Sequence, residues 1–178
     1  ELIKKKFTKK SVILSCGGGV IGDVSAMAAS LYLRGTIYYH IPTTMTAIVD
    51  SCIGGKTAIN YKNIINSMGS YYHPQNVFIS KNIIELLPKR EFNSGFAEII
   101  KSGLLNNRKI LKIIDSNISD IFKRNFNILR EMIFLTLKSK IKFFINDIYE
   151  NNQRLCLNFG HTFAHAIEMS LQTKNGDV

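Results

Sequence analysis

The first half of the chain alternates short apolar runs with glycine-rich or polar turns. Residues 11–16, SVILSC, form a β-type run that stops at three glycines, and residues 24–34, VSAMAASLYLR, have a helical composition. Residues 35–42, GTIYYHIP, predict a second strand that ends at a proline, and residues 76–81, NVFISK, predict one more. A strand, a glycine turn, a helix and a second strand describe a βαβ unit, which predicts a parallel sheet.

The pattern changes after about residue 82, where apolar residues recur every three or four positions. Residues 94–105, 110–124 and 128–149 carry this spacing, which is typical of amphipathic helices. The chain is therefore predicted to have an α/β, Rossmann-like parallel-sheet portion followed by an all-α domain. We place the boundary between residues 1–85 and residues 86–178.

Composition narrows the class of protein without naming a function. Apolar residues make up 46% of the 178 positions, which is enough for a core, and the apolar runs are too short for a membrane span. The start, ELIKKKFTKK, lacks both an initiator methionine and the apolar run of a signal peptide. We expect an interior piece of a longer chain. Three widely spaced cysteines predict reduced, mostly buried thiols in a cytoplasmic compartment.

The net charge of +10, from 23 Lys and Arg against 13 Asp and Glu, suits an anionic partner. Nucleic acid, an anionic membrane or a phosphorylated small molecule would each fit. The lysines are spread along the chain, and apart from KKKFTKK at the start no basic run or aromatic platform for nucleic acid is visible. We therefore predict neither a nucleic-acid partner nor a membrane partner.

Two glycine-rich segments follow predicted strands. SCGGGVIGD, residues 15–23, stands where a strand gives way to a helix, and glycine there lets a ligand approach the free N–H groups of the helix N-terminus. DSCIGGK, residues 50–56, places a glycine pair directly before a lysine, which indicates a backbone site for phosphate with an added point charge. Neither has the spacing of a standard dinucleotide or P-loop motif.

Near the C-terminus, LNFGHTFAHAIE holds His161 and His165 one helical turn apart. The spacing allows both side chains to reach one metal ion. The His-Glu-x-x-His metal motif is absent, because Thr162 stands where the glutamate would be. A hydrogen-bonded histidine pair without metal is the alternative, and spacing alone leaves both open.

Together, GGGVIGD, LRG, PTT, DSCIGGKTAIN, GFAEIIKSG and LNFGHTFAHAIE resemble the 3-dehydroquinate synthase family in order and spacing. The resemblance covers nearly the whole chain. It implies conversion of 3-deoxy-arabino-heptulosonate 7-phosphate to 3-dehydroquinate and phosphate, in the shikimate pathway of aromatic amino acid biosynthesis. The implied steps are oxidation of a carbinol, phosphate elimination, re-reduction, ring opening and aldol closure. The implied cofactors are NAD and a divalent metal, with zinc expected and cobalt the alternative.

The resemblance also implies different roles for the two histidines. Glu98 and His161 match metal ligands of the family, whereas His165 matches a residue that contacts substrate and handles protons. The family's third ligand is a histidine of a His-Gly-Glu motif, which we expect beyond Val178. Because catalytic zinc normally has three protein ligands, we expect the chain by itself to be inactive.

The remaining site residues carry over in the same way, and a homodimer is implied because Arg34 matches a residue that reaches a neighbouring subunit. The 1–85 portion is then part of an NAD-binding domain, and the 86–178 portion part of a metal- and substrate-binding domain. The residues that match phosphate contacts are Arg34, Lys56 and Asn66, and those that match carboxylate and hydroxyl contacts are Lys101, Lys140, Arg154 and Asn158. The residues predicted to bind NAD are Gly18, Gly19, Val20, Gly22, Asp23, Thr43, Thr44, Asp50, Ser51 and Lys56.

Three positions depart from the family pattern. Ile65 replaces a lysine expected near the nucleotide, Leu86 replaces a threonine, and Thr46 replaces a leucine. The first removes a charge that would favour NAD. Related cyclases that form deoxy-inosose or valiolone rings, and a non-catalytic or nucleic-acid-binding remnant, are the competing hypotheses. Arg154 and Asn158 favour the dehydroquinate enzyme, because the relatives tend to differ at such substrate contacts.

Overall fold

The structure, a computed structural model, describes residues 1–62, 64–164, 166–167 and 170, without the side chain of Ile65. It begins with the predicted βαβ unit. Strand β1 (Ile13–Gly17) leads through the glycine turn into helix α1 (Gly19–Leu31), and the chain returns as strand β2 (Tyr38–Pro42). The two strands pair in parallel, from Ile13 opposite Tyr38 to Gly17 opposite Pro42. Their carboxyl ends therefore meet at one edge of the sheet.

An antiparallel hairpin follows, which the sequence analysis did not predict. Strand β3 (Lys56–Tyr61) pairs with strand β4 (Ile64–Tyr71), so the lysine after the glycine pair begins a strand. Strand β5 (Asn76–Val77) then joins the free edge of β2, and the parallel sheet has the order β1-β2-β5. The strand predicted over 76–81 is wrong beyond Val77, because the next helix begins at Lys81.

The second half is helical, as predicted. It contains α2 (Lys81–Leu86), α3 (Lys89–Leu105), α4 (Arg108–Phe122) and α5 (Phe126–Phe144). The helix predicted over 128–149 ends early, at Phe144, and a short 3-10 helix follows at Gln153–Asn158. These elements confirm the predicted class, an α/β portion followed by an all-helical one.

The main core lies among the helices and extends into the segment that follows β2. Its fully or nearly fully buried members are Met45, Ile48, Val49, Ile84, Leu87, Phe92, Phe96, Ile99, Ile110, Ile121, Leu129, Met132 and Ile133. Gly95 of α3 packs so closely that an added Cβ would lie 2.4 Å from the Met45 carbonyl carbon. This contact presses α3 against the end of the α/β portion. Side chains from both portions therefore meet at a shared boundary.

The thiols are partly as predicted. Cys16, Cys52 and Cys156 are all free, but only Cys52 is buried, so the prediction of mostly buried thiols is wrong for the other two. Burial raises the pKa of the Cys52 thiol to about 12, and its Sγ lies 3.2 Å from the Ile48 carbonyl oxygen. Within the described part of the chain, none of the helices has the length and apolar character that a bilayer crossing requires.

Candidate active site

A cavity of about 300 Å³ lies where the two portions meet. Side chains from α1, the turn after β2, the hairpin, α3, α5 and the last 3-10 helix contribute to its wall. The lining residues are Asp23, Asp50, Ser51, Ile53, Lys56, Asn66, Lys101, Lys140, Arg154, Leu157, Asn158 and His161. All except Ile53 and Leu157 are site residues that the family resemblance named. The fold therefore brings together residues that lie up to 138 positions apart, since Asp23 and His161 share this wall.

The cavity is rich in cations whose side chains are largely shielded. Lys140 is 9% exposed and Arg154 is 2% exposed. The Lys140 ammonium donates to the backbone carbonyl of Asp50 and, at 2.7 Å, to its Oδ1 atom. With Lys56 and Lys101 the wall carries four basic side chains. Its acidic side chains are Asp23 and Asp50. Such a surface suits a small ligand that bears more than one negative group.

Arg154 fixes the floor of the cavity. Its Nη2 donates to the Gly54 carbonyl oxygen at 2.8 Å, and its Nη1 donates to the Ile148 carbonyl oxygen at 2.6 Å. The guanidinium also stacks near the rings of Tyr71 and Phe144, at 5.7 and 5.5 Å from their centroids. Gly54 has a φ of +102°, in the region that favours glycine. Arg154 therefore holds the glycine turn before β3 against the helical portion.

Glu98 and His161, the two predicted metal ligands, line one smaller cavity of about 290 Å³ beside the main one. Glu98 pairs with Lys101 one helical turn away, with 2.5 Å between Oε2 and Nζ. Lys101 in turn donates to the Leu157 carbonyl oxygen at 2.9 Å. Among the described residues, no group of three or more His, Cys, Asp or Glu side chains is placed so that it could hold a metal ion.

The glycine turn after β1 forms a surface beside Thr44 and Ser51. An added Cβ would lie 2.9 Å from Thr44 Cγ2 at Gly18 and 3.6 Å from Ser51 Oγ at Gly19. The Ser51 hydroxyl is buried without a hydrogen-bond partner among the described residues. A side chain at position 18 would crowd Thr44, whereas one at position 19 would make an ordinary contact with Ser51, whose buried hydroxyl is a polar group in need of a partner. The surface lies at the carboxyl ends of β1 and β2, where open α/β sheets bind their ligands.

The pKa values of two carboxyl groups in the cavity are shifted in opposite directions. Burial, with a smaller contribution from the charge of Asp50, raises the pKa of Asp23 to about 6. For Asp50 burial opposes the charged form, yet the Lys140 ammonium beside it holds the pKa of this carboxyl below its usual range. Asp50 is therefore charged at neutral pH, whereas the charged form of Asp23 is less favoured than that of an ordinary aspartate.

Replacing Asp23 by asparagine is expected to raise the free energy of unfolding at pH 8 by about 1–2 kcal/mol. The folded-state pKa of about 6 lies above the ordinary value of 3.8, so the folded state loses stability as pH rises from about 4 to 6. The shift converts to roughly 3 kcal/mol at most, and partial exposure of the side chain reduces this. Urea unfolding followed by circular dichroism at pH 4 and pH 8 measures the difference.

The matched control for this prediction is Asp115→Asn, because Asp115 is exposed on α4. It should leave the free energy of unfolding unchanged at both pH values. At pH 4 the stability gain of the Asp23→Asn variant over the parent chain should be much smaller than at pH 8, since Asp23 is then protonated in the folded state and only partly ionised in the unfolded state. A variant that is no more stable than the parent chain at pH 8 would contradict the raised pKa.

Some predicted site residues do not line the main cavity. Arg34 is exposed, with a left-handed φ of 63°, and Val20 is 77% exposed. Gly22 packs against the buried ring of His40, where an added Cβ would lie 2.7 Å from Cε1. Thr43 donates its N–H to the Gly17 carbonyl oxygen at 2.9 Å and belongs to the glycine-turn surface. His165 lies outside the described residues.

Glu150 also belongs to the site, although the sequence did not predict it. Glu150 lines a second cavity of about 420 Å³ that shares Asp23, Lys56 and Asn66 with the main one. Its carboxylate contacts Lys56 and accepts a hydrogen bond from Asn158 Nδ2 at 3.0 Å. No local motif marks Glu150, because its partners come from β3 and from the last 3-10 helix. Its place in the site depends on tertiary packing.

Two solved structures share this architecture. The 2-epi-5-epi-valiolone synthase of Streptomyces hygroscopicus subsp. jinggangensis 5008, with NAD+ and Zn2+ bound, is 26% identical with a TM-score of 0.85, over 94% of this chain and 48% of that one. A 2-deoxy-scyllo-inosose synthase in complex with carbaglucose-6-phosphate, NAD+ and Co2+ is 32% identical with the same TM-score, over 96% of this chain and 48% of that one. The fold is therefore that of the sugar-phosphate cyclases.

Sequence comparisons narrow the class further. Residues 1–94 match the model of the 3-dehydroquinate synthase N-terminal region, and residues 95–176 match that of the C-terminal region. The 3-dehydroquinate synthase of Dictyoglomus thermophilum is 44% identical over 168 residues, which cover 94% of this chain and 47% of that protein. The chain belongs to the 3-dehydroquinate synthase family. It spans about half the length of the curated relatives it matches.

Proposed function

We propose that this chain forms part of a 3-dehydroquinate synthase, an NAD- and metal-dependent lyase that cyclises 3-deoxy-arabino-heptulosonate 7-phosphate and releases phosphate. The observation that carries the proposal is the cavity of about 300 Å³ where the two portions meet. Ten residues named from the family resemblance line it, and its four permanent cations suit a substrate that bears both a phosphate and a carboxylate.

Different residues of the chain would bind the two ends of such a substrate. Lys56 and Asn66, on the two strands of the hairpin, would take the phosphate. Lys140 on α5 and Arg154 on the last 3-10 helix would take the carboxylate and neighbouring hydroxyls. Anchoring both ends of one molecule orients the carbon atoms between them, which lowers the entropic cost of reaction. His165 is assigned proton transfer by the resemblance alone.

The residues present fit both cofactors in part. The open glycine turn at Gly18 and Gly19, with the unpaired Ser51 hydroxyl, would hold NAD, and Glu98 with His161 would supply two ligands to zinc or cobalt. When bound, NAD would exchange a hydride with the substrate and the metal would polarise its oxygen atoms. The elimination of phosphate then needs a base for the acidified C–H and cations for the departing group. Lys56 supplies one such cation.

Synthesis of a deoxy-inosose or valiolone ring is the second candidate, because the two structures with TM-scores of 0.85 carry those activities. The dehydroquinate reaction is favoured because the curated relative named for it is 44% identical, against 26% and 32% for the two cyclases. An assay in which the candidate substrates compete for the same protein distinguishes the two activities. We further propose a homodimer in the cytoplasm, in which the exposed Arg34 reaches the site of the partner subunit.

The function is tested by phosphate release from the heptulosonate phosphate. The assay compares the chain as it stands with a chimera in which the chain is joined to the flanking segments of the Dictyoglomus thermophilum relative. Only the chimera, supplied with both NAD and zinc, is expected to release phosphate. Release by neither protein, or release from glucose 6-phosphate in preference, would refute the proposed reaction.

Replacing Ile65 by lysine is expected to tighten NAD binding several-fold in the chimera. A lysine near a pyrophosphate adds a charge-assisted contact that isoleucine cannot make. Equilibrium dialysis with NAD measures the affinity. The control is Ile64→Lys, the adjacent exposed position on β4, which adds the same charge. Equal affinities for the parent and the Ile65→Lys variant would show that the missing lysine does not matter.

A further inference from the structure

The strongest unexplained contact is made by Glu150, which the family resemblance does not name. Its Oε2 pairs with the Lys56 ammonium, and its Oε1 accepts from Asn158 Nδ2 at 3.0 Å. Both partners line the candidate active site and match substrate contacts of the family, Lys56 a phosphate contact and Asn158 a carboxylate or hydroxyl contact. One carboxylate therefore occupies two donors that a bound anion would use.

The loop that carries Glu150 is held firmly in place. Asp147, which is 7% exposed, accepts hydrogen bonds from the backbone N–H groups of Asn151, Asn152 and Arg154 at 2.8, 2.8 and 2.9 Å. Glu150 itself has a left-handed φ of 60°, which is unfavourable for a residue with a Cβ. Strained backbone of this kind persists where the surrounding structure enforces it, often at functional sites. The loop thus aims the Glu150 side chain at Lys56.

The limited solvent exposure of Glu150 strengthens the electrostatic effect of its carboxylate on nearby ions. The side chain is 16% exposed, whereas that of Lys56 is 48% exposed and can be reached from solvent. An anion that approaches Lys56 therefore meets a partly desolvated carboxylate at close range. Like charges at such a distance repel strongly when they are shielded from water. The anion must also compete with Glu150 for the Lys56 and Asn158 donors.

We propose that Glu150 is an internal competitor for the anion site at Lys56. Its carboxylate occupies the Lys56 and Asn158 donors in the ligand-free chain and weakens the binding of a free phosphate ion. This inference rests on the proposed function, in which phosphate is the leaving group. There the competition would favour departure of phosphate once it is cleaved, while the intact substrate retains its additional contacts to Lys140 and Arg154.

The test titrates inorganic phosphate into this chain and into its variants by isothermal calorimetry. Glu150→Gln keeps the shape of the side chain and removes its charge, so it should bind phosphate about tenfold more tightly. Glu150→Ala should also bind more tightly, because it vacates both donors. Lys56→Met should weaken binding, and adding Lys56→Met to Glu150→Gln should cancel the gain. Glu131→Gln is the matched control, since Glu131 is exposed and pairs with Lys109 on the helical surface.

Equal or weaker phosphate affinity in Glu150→Gln and Glu150→Ala would overturn the competitor role. So would a gain that persists without Lys56, because the site would then lie elsewhere. Failure to bind phosphate in every variant also counts against the proposal, since removal of Glu150 should open the site. The proposed function fails separately, when the chimera shows no turnover while the phosphate affinities follow the expected order.

Discussion

Replacing Arg154 by methionine is expected to lower the free energy of unfolding by about 3 kcal/mol. The guanidinium is 2% exposed and donates to the carbonyl oxygens of Gly54 and Ile148. Methionine has a comparable length but no donor, so the buried Gly54 carbonyl would lose its partner at a cost of about 1–3 kcal/mol, and the part-buried Ile148 carbonyl would lose its partner at a smaller cost. The glycine turn before β3 would also lose its contact with the helical portion. Urea unfolding followed by circular dichroism measures the change.

Arg130→Met is the matched control for this prediction, because Arg130 is exposed on α5. It should change the free energy of unfolding by less than about 0.5 kcal/mol. Arg154→Lys should fall between the two, since a single ammonium keeps the charge but loses the planar fork. If Arg154→Met is as stable as Arg130→Met, the two hydrogen bonds do not hold the floor of the cavity.

Replacing Glu98 by alanine is expected to lower the rate of phosphate release by the chimera by a factor of about 1,000 or more. Glu98 is one of the two proposed metal ligands that the structure describes, and it also neutralises the Lys101 side chain, which is only 12% exposed. Loss of one ligand from a three-ligand zinc site removes most of the metal affinity. Zinc content measured by mass spectrometry should therefore fall together with the rate.

The control for this prediction is Glu91→Ala, two turns earlier on the same helix and outside both cavities that Glu98 and His161 line. It should retain full zinc content and a near-normal rate. Glu98→Gln keeps the length of the side chain but provides a weaker ligand, so its zinc content should lie between those of the two variants. Full zinc content in Glu98→Ala would contradict the assignment of Glu98 as a ligand.

Local patterns in the sequence predicted the element types well but their limits less well. The βαβ unit and the three long helices appear where periodicity placed them, because period-two and period-3.6 patterns reflect burial within one element. The hairpin of β3 and β4 was missed, because KTAINY follows a glycine pair that was interpreted as an anion-binding loop. The strand predicted over 76–81 shrank to Asn76–Val77, where pairing with β2 ends. Pairing with β2, rather than composition, sets the limit of this strand.

The candidate site, like the fold, could be predicted from the sequence only in part. Residues named through motif order, such as Asp50 and Lys56, line the cavity together with Asn158. Glu150 could not be found from the sequence, because its role depends on a left-handed backbone and on partners from two other elements. Burial could not be anticipated either. The raised pKa of Asp23 arises from desolvation and from the charge of Asp50, and neither is visible in the one-dimensional pattern.

By itself the sequence determined the fold class, the glycine turn between β1 and α1, and the membership of a family, because these depend on local periodicity and on short motifs in a fixed order. Only the tertiary structure decided which charged groups meet. Lys140 contacts Asp50 from 90 positions away, and Arg154 contacts Gly54 from 100 positions away. Those contacts follow from the packing of α3 against residue 45, which brings the helical portion over the carboxyl ends of the parallel strands. Charge pairing across such a boundary is a property of packed surfaces, so no segment of the chain encodes it alone.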